Sequence, residues 1–190
     1  MKGLFRTGCI AAGAAFALTA AIPAIAAANP CPSYPLSQPF LTWGDPNTYT
    51  LIPGESAGTV DGQGWQFSGG AHLVTTAVQD GSSGQVLDMP PGSKVVTPPM
   101  CVNASNYPRA RTMISDVSGE QGVAVYVSYQ QDRLLATGMI KNPRPGWSAS
   151  RPIMLHAGQL RGLHMVRFTF VARRGEYQLY NFYVDPRRGR

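Results

Sequence analysis

Short stretches in which apolar and polar residues alternate recur along the chain, separated by clusters of Gly, Pro, Asn, Asp and Ser. Because the side chains of a β-strand point alternately to the two faces of a sheet, this alternation predicts strands that bury one face. The clearest case places Val123, Val125 and Val127 towards a core and Tyr126 away from it. No long helical periodicity survives, since 21 Gly and 16 Pro interrupt the chain.

Twelve segments of this kind predict short strands. They are Phe40–Trp43, Tyr49–Ile52, Gly64–Ser68, His72–Thr76, Gln85–Met89, Ser93–Thr97, Arg111–Val117, Val123–Tyr129, Leu134–Lys141, Pro152–His156, Leu163–Val171 and Tyr177–Val184. So many short strands in one chain predict an all-β fold, an antiparallel sandwich or barrel.

The last of the twelve segments is apolar almost throughout. Its residues Leu179, Phe182 and Val184 can face the core together only if the strand contains one extra residue. We therefore predict a β-bulge near Tyr180 and Asn181.

The first 28 residues have the features of a secretory signal peptide. Lys2 and Arg6 form a basic start, an apolar Ala-rich stretch follows over residues 8–25, and small residues offer a cleavage site after Ala28. A transmembrane anchor is the alternative, but the apolar run is short for a span and no stop-transfer charges follow it. We expect a protein that is secreted or held in the cell envelope, with no transmembrane segment once residues 1–28 are removed.

The cysteines fit export to an oxidising compartment. Cys9 lies within the predicted signal peptide, which leaves Cys31 and Cys101 in the mature chain. Two cysteines have a single intramolecular pairing, so we predict the disulfide Cys31–Cys101. The chain-entropy model assigns a loop of this length about 4 kcal/mol of stabilisation.

The mature chain has the length of one domain, which we place at residues 29–190, with a Pro-rich segment at 29–39. The formal net charge of the whole chain is +6. Its basic residues are scattered, apart from a group in the tail 187–190 that either frays in solvent or attaches to an acidic cell-wall polymer or membrane. We expect no nucleic-acid binding, because no basic face interleaved with stacking aromatics is evident. We also expect a monomer.

Two segments carry a resemblance to a known family. Tyr177–Arg187 and Gly64–Ala71 resemble a group of uncharacterised exported bacterial proteins, which in turn resemble carbohydrate-binding modules of the galactose-binding-like type. The resemblance extends over about Gln38–Arg187. It implies an antiparallel β-sandwich of jelly-roll type and a non-catalytic module that binds carbohydrate or cell-envelope glycan.

In many modules of this type, paired acids in the last strand and an early Gly-x-x-Phe-Glu segment support a structural calcium ion. Here Tyr180 and Asn181 stand where the acids would be, and no Phe precedes Glu55. The resemblance leaves Glu55 and Asp185 as calcium candidates in a chain with few acidic residues. No metal or cofactor is otherwise expected.

Sugar recognition typically sets a planar side chain against the apolar face of a pyranose ring. We predict an exposed aromatic sheet face or loop as the ligand site, with these candidates: Tyr126, Tyr129, Trp147, Tyr180, Asn181 and Tyr183. Tyr126 lies opposite the valine face of its strand, and Trp147 lies in the loop 142–147. Ordinary packing is the alternative for each residue. We expect Trp43, Trp65 and Phe67 in the core.

The string Gly54–Gly58 matches Gly-x-Ser-x-Gly, the nucleophile elbow of α/β-hydrolases. An elbow requires a strand that turns directly into a helix, which residues 59–64 cannot form. We therefore interpret Ser56 as a turn residue and expect no enzyme activity. Two alternatives stay open: a structural or adhesive envelope protein that binds another protein, and a hydrolase that uses Ser56.

Overall fold

The computed structural model describes residues 31–106, 108–119, 121–129, 133–156 and 160–186. The predicted signal peptide and the basic tail lie outside these residues and stay predictions. Within them, no helix has the length and apolar character needed to cross a membrane.

The described residues form short antiparallel strands and two single-turn 3-10 helices, Leu41–Trp43 and Ala104–Asn106. The strands in chain order are β1 (Thr50–Leu51), β2 (Glu55–Ser56), β3 (Thr59–Val60), β4 (Gln66–Ser68), β5 (His72–Ala77), β6 (Ser83–Met89), β7 (Lys94–Val96), β8 (Met100–Asn103), β9 (Arg109–Ser118), β10 (Val123–Tyr129), β11 (Leu134–Ile140), β12 (Ser148–Ala149), β13 (Ile153–Met154), β14 (Leu163–Val171) and β15 (Glu176–Asp185).

Two sheets form the body of the fold. The first has the order β12-β9-β15-β6-β5, with β13 also on β9 and β1 on β15. The second has the order β11-β10-β14-β7-β4, with β8 also on β14. The sheets meet face to face, and Phe182 of the first packs at 5.1 Å from Phe168 and 4.8 Å from Phe170 of the second. The predicted all-β antiparallel sandwich is confirmed.

The alternation predicted for β10 is also confirmed. Val123, Val125 and Val127 are buried between the sheets, and Tyr126 lies on the outer face of the second sheet. Burying the valine row removes apolar surface from water, which fixes the register of β10 against both neighbours.

The bulge predicted for the last strand is present in β15. Its register against β9 runs from Tyr180 opposite Met113 to Tyr183 opposite Arg111, so one extra residue lies between them. Asn181 takes the left-handed backbone conformation with a φ of 55°. The extra residue turns the next side chain inward, as the apolar pattern required.

The predicted disulfide joins Cys31 to Cys101, with the Cα atoms 5.4 Å apart. It ties the Pro-rich front segment to β8. A second attachment lies close by, because the backbone N–H of Cys101 donates to the hydroxyl of Tyr34 at 3.1 Å.

A buried ion pair holds residues 40–49 on the outer face of the first sheet. The Nη1 of Arg111 lies 2.8 Å from the Oδ2 of Asp45, and its Nε donates to the carbonyl of Ser150 at 2.8 Å. The guanidinium stacks 4.6 Å above the ring of Phe40, and the hydroxyl of Tyr49 donates to Asp45 at 2.8 Å. Burial raises the pKa of Asp45, but the hydrogen bonds from Arg111 and Tyr49 outweigh it and lower that pKa overall.

Two predictions about this fold are wrong. Phe40–Trp43, predicted as a strand, contains a 3-10 turn that ends where Gly44, at a φ of 74°, donates its N–H to the carbonyl of Leu41. Phe67, predicted in the core, is 37% exposed, because its strand β4 is the outermost of the second sheet and has a neighbour on one side only. Trp65 is buried as expected and stacks on Phe170 at 6.2 Å.

Candidate functional site

The loop that follows β11 is held closed by one side chain. The Nδ2 of Asn142 donates to the carbonyl of Gly146 at 2.7 Å, and its Oδ1 accepts the backbone N–H of Arg144 at 3.2 Å. The same Oδ1 accepts the hydroxyl of Ser148. Pro143 and Pro145 restrict the backbone further, so this loop is ordered before any ligand arrives.

Trp147 anchors the end of the loop to the first sheet. Its indole N–H donates to the carbonyl of Ala77 at 2.8 Å, and its ring meets Tyr180 edge to face at 4.8 Å. The hydroxyl of Tyr180 in turn accepts the backbone N–H of Gln79 at 3.1 Å. Two predicted ligand residues, Trp147 and Tyr180, are therefore brought together, but as packing partners that attach the loop to the turn between β5 and β6.

Beside this loop lies an open cleft of about 370 Å³, which we call the β11 cleft. Its lining residues come from the end of β11, from the loop after it and from the segment between β12 and β13. They are Met139, Lys141, Asn142, Pro143 and Arg151. Apolar side chains therefore share the cleft with hydrogen-bond donors, as in sites that bind polar small molecules.

The cleft is electropositive. Lys141 and Arg151 are exposed, as is Arg144 in the adjoining loop. Among the described residues, the ion pairs are those of Arg111 and of His72, each with an aspartate elsewhere in the fold. In the part of the chain that the structure covers, the three cations near the cleft therefore have no acidic partner.

Tyr126 lies on the outer face of the second sheet, between Ala136 of β11 and Thr169 of β14. It is half-buried, and its hydroxyl accepts a hydrogen bond from Arg173 at 2.7 Å. The register of β10, β11 and β14 places no second aromatic residue on this outer face within the described strands. Tyr126 therefore stands alone and does not form an aromatic row.

Two other aromatic candidates are buried. Tyr129 is 5% exposed on the inner face of β10 and meets His164 edge to face at 6.0 Å, and its burial raises the pKa of the hydroxyl to about 12. Tyr183 is 9% exposed and packs edge to face on Phe40 at 5.6 Å. Neither ring offers a face to a ligand.

Asn181 holds the β2–β3 hairpin against the bulge of β15. The Oδ1 of Asn181 accepts the backbone N–H of Gly58 at 2.8 Å. In the same hairpin, Ser56 pairs with Thr59 across a two-residue turn, and Ser56 is exposed. The Gly-x-Ser-x-Gly string thus forms a β-hairpin turn and lacks the strand-to-helix geometry of a nucleophile elbow.

The two calcium candidates, Glu55 and Asp185, both lie near the C-terminal end of β15. A carboxylate oxygen of Glu55 accepts the backbone N–H of Phe182 at 2.9 Å, and burial raises the pKa of this carboxyl to about 8. Asp185 is buried at the C-terminal end of β15, three residues beyond Phe182, and lies opposite Arg109. No group of three His, Cys, Asp or Glu side chains within the described ranges could hold a metal ion. Calcium typically binds six to eight oxygen ligands, several of them from carboxylates.

No protein-family model matches the chain, and no curated protein matches it. Several solved structures are similar. They include a carbohydrate-binding module from Cellvibrio mixtus lichenase 5A in complex with cellotriose, at 15% identity and a TM-score of 0.42, over 63% of this chain and 88% of that one. A xylan-binding domain from Paenibacillus barcinonensis matches at 12% identity and a TM-score of 0.41, over 66% and 87%.

A family 6 carbohydrate-binding module from Clostridium cellulolyticum in complex with xylose matches at 12% identity and a TM-score of 0.40, over 60% of this chain and 85% of that one. These structures belong to the class that the sequence resembles. With TM-scores below 0.5 they carry no argument about a ligand, which has to be inferred from the residues of this chain.

The sequence pattern did not predict the residues that line the cleft. It points to the loop 142–147 because of Trp147, but the side chain of Trp147 attaches the loop to the first sheet. Met139 and Arg151 are 12 residues apart and meet because β13 packs against the end of β11. The one available signal in the sequence is a pair of basic residues, Lys141 just before the Pro-rich loop and Arg151 shortly after β12.

Proposed function

We propose that this protein is a non-catalytic module that binds glycan in the β11 cleft. The observation that carries the proposal is the composition of an open, ordered cleft, in which Met139 and Pro143 lie beside Lys141, Asn142 and Arg151. A sugar presents C–H groups on one side and hydroxyls at its rim, and so matches a surface with both apolar contacts and donors.

We further propose that the protein works outside the cytoplasm, in the cell envelope or after secretion. The predicted signal peptide supports this location. The Cys31–Cys101 disulfide supports it as well, because such bonds persist in oxidising compartments.

We also propose that Ser56 does not act as a catalytic nucleophile. In its hairpin turn this hydroxyl lacks the surroundings that activate a serine nucleophile. We therefore expect no hydrolysis of a generic ester, and no difference between the protein and a Ser56→Ala variant.

A matched pair of substitutions tests the location of the site. Met139 and Leu134 are both exposed apolar residues of β11 on one sheet face, at 41% and 45%, but Met139 alone lines the cleft. We expect Met139→Ala to weaken retention by immobilised polysaccharides several-fold, because it removes the apolar wall, and Leu134→Ala to leave it unchanged. Affinity gel electrophoresis against neutral and acidic polymers measures both. Absence of binding to any polymer, or equal losses in the two variants, would contradict the proposal.

A second candidate function, contact with another protein, is favoured by the outer face of the second sheet. Leu134, Met139 and Leu163 expose 38% to 45% of their surfaces there. A protein-binding role would appear as concentration-dependent association in light scattering that Leu134→Lys abolishes and that sugars do not affect.

A further inference from the structure

The positive charge of the β11 cleft indicates which kind of glycan it binds. This inference rests on the proposed function. Two of the five lining side chains, Lys141 and Arg151, are cationic, and none is acidic. A neutral sugar needs donors and acceptors in comparable numbers, because each hydroxyl is both. A cleft in which exposed cations supply the donors is better suited to a ligand with negative groups.

The cations of the cleft are also free to bind. Arg111, which is buried, forms an ion pair with Asp45 at 2.8 Å. Lys141 and Arg151 have no such partner among the described residues, and their side chains make no hydrogen bond there. Unpaired like charges close together repel one another, and an anionic ligand relieves that repulsion.

The positions of these charges are set by ordered structure. Lys141 directly follows β11, and Arg151 lies between β12 and β13, which both pair with β9. Arg144 is held in the adjoining loop, because its backbone N–H donates to Asn142 at 3.2 Å. The backbone that carries these charges is therefore ordered in advance, and binding an anion has to order only the cationic side chains.

We propose that the β11 cleft binds an acidic polysaccharide, one whose sugars carry carboxylate or sulfate groups. Lys141 and Arg151 bind the anionic groups, and Met139 and Pro143 contact the sugar rings. Nucleic acid is the less suitable polyanion, because binding of single strands relies on aromatic side chains that stack on bases, and none of the five lining residues is aromatic.

Polymers that share a backbone but differ in charge test the proposal directly. Polygalacturonate is compared with its methyl ester, and dextran sulfate with dextran, by affinity gel electrophoresis and calorimetry at about 0.05 and about 0.5 M sodium chloride. We expect the acidic member of a pair to bind, the neutral member to bind at least about tenfold more weakly, and the higher salt concentration to weaken binding. The two pairs distinguish carboxylate from sulfate as the recognised group.

A double variant with a matched control assigns the binding to the cleft. Lys141→Gln combined with Arg151→Gln removes two charges from the cleft, and we expect it to weaken binding about twentyfold at low salt. Arg133→Gln combined with Arg161→Gln removes two exposed charges at the opposite end of β11 and β14, and we expect little change. All four substitutions are at exposed positions, and thermal unfolding checks that both variants are folded.

Each contrary outcome has a distinct meaning. Equal binding of neutral and acidic members, with loss in Met139→Ala, overturns the acidic preference and leaves the glycan function standing. Absence of binding to every polymer overturns both. Equal losses in the two double variants, or equally strong binding to double-stranded DNA, would show attraction by net positive charge and overturn the assignment to the cleft.

Discussion

At the scale of single residues, a few polar side chains in this protein hold segments of the chain in place. Arg111 of β9 binds Asp45 and the carbonyl of Ser150, and Asn142 closes the loop beside the cleft. Glu55 has a similar role, because its carboxylate accepts the backbone N–H of Phe182 from the bulge of β15. Polar groups that the fold shields from water are costly to leave unpaired, so these hydrogen bonds stabilise the observed arrangement.

The raised pKa of Glu55 makes a prediction about stability and pH. Burial raises this pKa from its ordinary value of 4.5 to about 8. Below pH 4.5 both the folded and the unfolded chain hold the proton of Glu55, and the contribution of this group to the free energy of unfolding is fully present. Between these values the unfolded chain releases the proton first, so the free energy of unfolding falls as the pH rises, by at most about 1.4 kcal/mol per pH unit.

Urea unfolding at several pH values between 5 and 8 measures this fall in the free energy of unfolding. Glu55→Gln keeps a side-chain oxygen for the N–H of Phe182 and removes the titration, so we expect a flatter profile for the variant. Parallel profiles for the two proteins would show that Glu55 does not control the pH dependence.

At the scale of elements, the β2–β3 hairpin is a separate two-stranded sheet that packs against β15 of the first sheet. β15 pairs with β6 up to Leu179 and with β1 from Tyr183, and the hairpin contacts β15 between these two pairings. Its hydrogen bonds to the bulge come from Glu55 and Gly58. The bulge and the hairpin therefore stabilise each other, since the left-handed residue Asn181 presents the groups that the hairpin binds.

Substitutions of Asn181 separate the backbone conformation from the side-chain hydrogen bond. Both Asn181→Gly and Asn181→Ala remove the acceptor for the N–H of Gly58, but glycine tolerates a φ of 55° and alanine does not. We expect Asn181→Ala to lower the free energy of unfolding by about 1 kcal/mol more than Asn181→Gly. Chemical denaturation measures the difference, and an alanine variant as stable as the glycine variant would contradict this account of the bulge.

The elements that the sequence predicts correctly are those whose conformation is determined by residues within the same segment. The valine row of β10 and the bulge of β15 follow from local periodicity, because a strand has only two faces to choose between. Phe40–Trp43 was misassigned because its turn depends on Gly44 just beyond the apolar run. Phe67 was misplaced because its exposure depends on where β4 lies in the sheet, which no local pattern encodes.

The candidate site was less predictable for the same reason. The sequence predicts Trp147 and Tyr180 as ligand residues because they are aromatic. In the structure the two rings pack against each other. The cleft itself depends on how β11 and β13 lie together, so Met139 and Arg151 carry no shared signal in the sequence. Surface cations are common, and their meeting in one cleft emerges from tertiary structure.

At the scale of the whole molecule, the protein is a two-sheet sandwich, stapled at its front by one disulfide, with the β11 cleft beside the end of β11. The sheets supply the rigidity, and the end of β11, the loop after it and the segment between β12 and β13 supply the side chains of the cleft. This division of labour is common in proteins whose binding loops rest on a β scaffold. We therefore place the ligand site in the β11 cleft and not on the outer sheet face around Tyr126.

A crystal structure with a bound oligosaccharide of the best-retained polymer tests that claim most directly. We expect sugar between Met139 and Arg151, with its anionic groups within hydrogen-bond distance of Lys141 or Arg151. An oligosaccharide bound over Tyr126 on the outer face of the second sheet, with the β11 cleft empty, would contradict it.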